Sequence, residues 1–169
     1  MAYALVVDSK TGNTRKLADA IGKALEIEPV SADAPEAVED AAAADTVLVG
    51  FWCDKGDCSP VAAKVLASLS GKRVFLFGTA GFGGSPAYFE RVLGSVKGHL
   101  PADAELSGEI MCQGRIDPAA RGKWEAALEK NPADPRAKMM LKTFDAAEKH
   151  PTDQDVTRVV TAAKKALGL

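Results

Sequence analysis

The chain has 169 residues, 47% of them apolar and 26% charged, with a formal net charge of −2. These values exclude a disordered, collagenous or disulfide-scaffold protein, and the lack of a basic excess argues against nucleic acid as a partner. No apolar run approaches the roughly 20 residues of a membrane span, and the start, MAYALVVDSK, does not read as a signal peptide.

Ala2 to Val7 is a short apolar run and reads as a buried strand. From Asn13 to Glu26, Leu17, Ala18, Ile21, Ala24 and Leu25 recur at helical spacing between charged residues. Glu28 to Ala32 reads as a weak edge strand, and an alanine-rich helix runs from Pro35 to Ala44. Thr46 to Trp52 is a second buried strand, followed by a helix over Val61 to Leu69 that Ser59-Pro60 opens. Arg73 to Phe77 is a third core strand, Pro86 to Lys97 a helix opened by another Ser-Pro, and Glu105 to Cys112 a strand weakened by Gly108.

Beyond Asp117 nothing is strand-like. One helix runs through Trp124 to Lys130, the stretch Asn131 to Pro135 breaks it, and a second carries Met139, Met140, Leu141 and Phe144. His150-Pro151 breaks again. Thr152 and Asp155 then form a capping box for a last helix, with Val156, Val159, Val160, Ala163 and Leu167 on one face.

Strands alternating with helices predict a mostly parallel sheet. The expectation is a three-layer α/β/α doubly wound fold with five parallel strands. It forms one domain over residues 1–169, with a helical insertion at about 117–150 before the closing helix 152–168. Packing over the sheet, a lid and a docking surface are all open roles for the insertion. Three cysteines cannot all pair within one chain, and without an export signal a reducing cytoplasm is expected.

In such a sheet, ligands bind outside the carboxyl ends of the strands. The loop after the first strand, Ser9-Lys10-Thr11-Gly12-Asn13-Thr14, is hydroxyl-rich and runs into a helix start. Free N–H groups, the helix dipole and three hydroxyls make a phosphate cradle there. An ordinary capped turn is the plainer reading. Neither the P-loop nor the G-x-G-x-x-G pattern is present. The loop after Phe51 carries Trp52, Cys53, Asp54, Lys55 and Gly56, and the one from Thr79 to Pro86 carries Ala80, Gly81 and Phe82 amid three glycines.

The run Ser9, Thr11, Gly12, Thr14 resembles the phosphate loop of the flavodoxin family, [ST]-x-T-G-x-T, in full. Trp52-Cys53-Asp54 is similar to the family's W-G-D segment, with Cys53 where glycine is usual. The resemblance implies strand order 2-1-3-4-5 and an FMN cofactor. Ser9 to Thr14 would hold its phosphate, Trp52 would stack on its ring, and Cys53 to Gly56 would border it. Thr79, Ala80 and Gly81 would supply backbone contacts to its pyrimidine edge, with Phe82 as a second aromatic. FW-x-DKG, FGT-x-G and CQG-x-I-D, the last within Met111 to Asp117, together resemble a branch some of whose members accompany bilirubin reductases of gut bacteria.

That implies a flavodoxin-like carrier of electrons to a partner reductase, with no general acid, base or nucleophile of its own. An FMN-dependent oxidoreductase of quinone or porphyrinogen type and a flavin-free partner-binding scaffold are the alternatives. By resemblance, the peptide after the stacking aromatic, here Cys53–Asp54, turns toward the reduced ring; a Cβ at Cys53 resists the positive φ this needs by about 1–2 kcal/mol. Cys53 and Cys58 frame the loop at C-x4-C spacing, as small loop side chains or as a reversible disulfide. Cys112, His99 and His150 do not extend them to a ligand set, so no metal is expected.

Overall fold

A computed structural model describes residues 1–169. The strands are β1 (Tyr3–Val7), β2 (Pro29–Ser31), β3 (Thr46–Trp52), β4 (Arg73–Ala80) and β5 (Glu105–Gln113). The helices are α1 (Asn13–Leu25), α2 (Ala37–Ala43), α3 (Pro60–Ala67), α4 (Pro86–Lys97), α5 (Gly122–Lys130), α6 (Pro135–Ala147) and α7 (Asp153–Ala166). The five strands form one parallel sheet in the order β2-β1-β3-β4-β5.

Side chains alternate across the sheet with the period of two that a strand imposes. Ala4, Val6, Val47, Val49, Val74 and Leu76 face α2, α3 and α4, where Ala41, Leu66, Val92 and Val96 complete one core. Leu5, Val7, Leu48, Phe75 and Phe77 face α1 and α7, where Leu17, Ile21, Val159 and Ala163 complete the other. Both faces are covered, so the strands read as continuous apolar runs.

β4 runs three residues beyond the expected end at Phe77. The reason lies in a reciprocal fit with β3, where Gly50 pairs with Phe77 and Phe51 with Gly78. A Cβ on Gly50 would meet the Phe77 ring at 2.5 Å, and one on Gly78 would meet the Phe51 ring at 2.4 Å. Each ring lies over the other strand's glycine, which a reading of one strand at a time cannot show.

The caps follow local chemistry. Ser59 and Ser85 accept the amides of Ala62 and Tyr88, each with proline at the first helical position. Pro135 begins α6 rather than only ending α5, because Asp134 caps it through the amides of Arg136 and Ala137. The Thr152–Asp155 capping box is fully formed.

Candidate functional site

The loops after β1, β3 and β4 meet at the carboxyl edge of the sheet. Gly12 is the N-cap of α1 at φ 92, a left-handed conformation that glycine adopts without cost. The Ser9 hydroxyl accepts the Arg15 amide at 3.1 Å. The backbone N–H groups of Lys10, Thr11, Gly12, Asn13 and Thr14 donate to no acceptor in the protein. Five such donors in sequence at a helix start make a place for an anion.

Thr14 departs from the picture of a row of hydroxyls. It is fully buried, and its Oγ1 lies 3.2 Å from the Phe51 carbonyl and 2.9 Å from the Thr79 hydroxyl. That hydroxyl ties the ends of β3 and β4 to α1 and is not available to an anion. The Thr11 hydroxyl is exposed and accepts from Asn13 Nδ2 at 3.3 Å.

A cleft of about 290 Å³ opens beside this loop, lined by Lys10, Thr11, Trp52, Cys53, Gly81 and Phe82 among others. Lys10 Nζ sits 5.0 Å from the centre of the Trp52 ring, a cation–π contact. A second cavity of about 690 Å³ shares Trp52, Cys53, Gly81 and Phe82 with the first and continues past Asp54, Lys55 and Gly56 to Tyr88 and Arg91 on α4. Trp52 therefore borders two adjoining spaces.

Asp54 to Asp57 form a tight hairpin. The Asp54 amide donates to the Asp57 carbonyl at 2.7 Å and the Asp57 amide returns to Asp54 at 3.1 Å. Lys55 and Gly56 both have positive φ, at 52 and 85, the signature of a type I′ turn. The Cys53–Asp54 peptide is thus anchored through its N–H, a restraint additional to the Cβ of Cys53. The loop's glycine is two residues beyond the peptide that the resemblance singled out.

Cys53 Sγ lies 3.5 Å from the Tyr88 hydroxyl. That hydrogen bond and burial push Tyr88 up to about 12. All three thiols are free. Burial, with Asp57 nearby, pushes Cys58 up to about 12, and burial does the same to Cys112. Neither is a thiolate near neutral pH.

Ala80 is the expected site residue that the structure takes away. It is the last residue of β4, 3% exposed and packed in the core, and its carbonyl accepts the Gly114 amide at 3.0 Å. The extension of β4 moved it out of the loop. Thr79 lies in the same strand extension but still borders the cleft.

Four residues that sequence reasoning left out of the site complete the wall: Arg115, Ile116, Asp117 and Ala120. They follow β5, whose end lies on the same sheet edge, so the rule that selected the other loops selects this one too. Asn13 Nδ2 donates to the Arg115 carbonyl at 2.7 Å, and the Arg115 amide donates to His150 at 2.8 Å. Above them α6 lays Phe144 edge-on to Phe82, with ring centres 6.2 Å apart.

The fold agrees with what known proteins show. A family model described as a flavodoxin domain matches residues 4–164, and the chain belongs to the flavodoxin family. It is 36% identical, over 92% of its length and 90% of the relative's, to the flavodoxin-like domain-containing protein BilS of Clostridium symbiosum (strain WAL-14163). The protein of the same name from Clostridioides difficile (strain CD3) is 29% identical, over 97% of this chain and 95% of that one. Among solved structures, a Streptococcus pneumonia TIGR4 flavodoxin superposes with a TM-score of 0.55 at 17% identity, over 98% of this chain and 97% of that one. No helix is long and apolar enough to cross a membrane.

Proposed function

We propose that this chain is a cytoplasmic FMN-binding electron carrier that delivers electrons to a partner reductase. One observation carries the reading: Lys10, Thr11, Asn13 and Thr14, whose amides have no acceptor in the protein, line the same cleft as Trp52. The donor set fits a monophosphate, since amides, one exposed hydroxyl and Lys10 suit a compact anion without a cluster of arginines. The space beside Trp52 suits a planar ring. Glycine at 81 lets Ile116 pack closely against this loop, since a Cβ there would strike Ile116 Cγ1 at 2.7 Å.

FMN, when bound, supplies reversible one- and two-electron chemistry. The amides of Lys10 to Thr14 would hold its phosphate, and Trp52 would cover a face of the ring. Gly81 and Phe82, whose amides also lack acceptors, would meet its polar edge. Cys53 to Gly56 would border it, held by the hairpin and the Tyr88 contact. Residues 117–150 would form an insertion in one domain, whose Phe144 packs against Ile116 and Phe82 and shields the cleft from water. The likeness to the BilS proteins agrees with this reading.

The test is a visible absorption spectrum of the protein with added FMN after removal of the excess. Flavin bands that stay with the protein, and a Trp52→Ala variant that loses them at least tenfold more readily, are expected. A protein that stays colourless overturns the reading and leaves a flavin-free scaffold. The second cavity beyond Trp52 favours one further reading, an FMN-dependent oxidoreductase with a small acceptor bound there. Turnover of a quinone by NAD(P)H without another protein would select it.

A further inference from the structure

We propose that Asp57, Cys58 and His99 form a site for one divalent transition-metal cation, zinc being the best-matched ion. Their ligand atoms lie within 4.8 Å of one another. His99 Nε2 stands 3.1 Å and 2.9 Å from the two carboxylate oxygens of Asp57. The Cys58 amide donates to Asp57 Oδ1 at 2.7 Å and fixes the carboxylate. Sequence spacing could not show this set, because His99 lies 42 residues from Asp57.

An imidazole nitrogen, a thiol sulfur and a carboxylate oxygen are the donors that zinc takes in tetrahedral sites. An Asp–His ion pair brings two members of the group together, and Cys58, packed at the edge of a core cluster, brings its sulfur within reach of both. Cys58 is 7% exposed, whereas the side chains of His99 and Asp57 are 35% and 39% exposed. The buried sulfur supplies a fixed floor, and the open side gives the ion an entry path and room for a water as fourth ligand.

Binding forms bonds from the metal to Cys58 Sγ, His99 Nε2 and one Asp57 oxygen. It breaks the Cys58 S–H bond, and that proton passes to solvent, so affinity rises with pH. The site would staple the Asp54–Asp57 hairpin to the end of α4, fixing one wall of the larger cavity beside Trp52. The proposal stands apart from the flavin reading and needs no flavin for its test.

The chelator-treated protein is titrated with Co²⁺ and then with Zn²⁺. Expected are saturation at one equivalent, thiolate-to-cobalt charge-transfer absorbance, and its loss on zinc addition. Cys58→Ser removes the band, and His99→Gln weakens binding at least tenfold, while Cys112→Ser and His150→Gln change neither. His99→Gln alters a part-exposed side chain, so it decides the matter even if Cys58→Ser does not fold. No saturable binding, binding without the thiolate band, or unchanged affinity in His99→Gln overturns the proposal.

Discussion

The cleft has two walls of different construction. One, from the loops after β1, β3 and β4, is built of main chain: free amides, glycines and a hydroxyl tie beneath them. The other, from Arg115 to Ala147, is built of side chains around a small cluster of Ile116, Phe144 and Ala147. The first inherits its precision from strand register and the large sheet core. The second has only four buried residues of its own, Ala137 besides those three, and is tied to α1 by the Asn13–Arg115 bond and to His150 by the Arg115 amide. Position in a parallel sheet thus fixes a loop far more firmly than satellite packing fixes a helix pair.

Substitutions that act on one wall and spare the other separate them. Gly78→Ala has the largest expected effect. Its methyl would enter the Phe51 ring at 2.4 Å between two flat strands. Chemical denaturation should show a loss of about 3 kcal/mol, the upper part of the usual overpacking range. Phe144→Ala comes next, with about 2 kcal/mol, below the cost in a central core because its cluster is small. Hydrogen exchange should then rise over 117–147 and stay low in the sheet. An equal rise throughout would show that the two walls unfold as one.

Asp155 tests the joint between them. Burial would raise its carboxyl, but the Thr152 amide, His150 and Arg158 outweigh that and hold it at about 2. Its folded pKa is depressed, so its contribution is full above the unfolded value and is lost as pH falls. Asp155→Asn should cost about 2 kcal/mol at neutral pH. That difference from the parent should close between pH 3.8 and pH 2. Gly12→Ala has the smallest expected effect on folding. The left-handed N-cap costs about 1 kcal/mol with a Cβ present, and FMN retention should fall more than stability does.

Sequence patterning reached the main-chain wall more readily than the side-chain wall. β3 and α4 have the expected limits because strong apolar runs and Ser-Pro caps bound them. Trp52, Gly81 and Phe82 lie together because strand ends do. Local pattern could not show that Thr14 turns inward, since its partners Phe51 and Thr79 are 37 and 65 residues away. Nor could it reveal the Asp57–His99 pair or the Phe82–Phe144 contact, which exist only once α4 and α6 are docked.

The Arg115 amide and the His150 carbonyl are 2.8 Å apart, so the chain leaves the fold and returns to it at nearly one point. Residues 116–149 therefore form a cassette whose ends are already joined in space. A shorter relative could drop it with a tight turn and leave the sheet unstrained, and a longer one could lengthen its tip freely. What such a relative would give up is the cover over Phe82, which makes the length of this stretch a natural dial for how open the cleft stands.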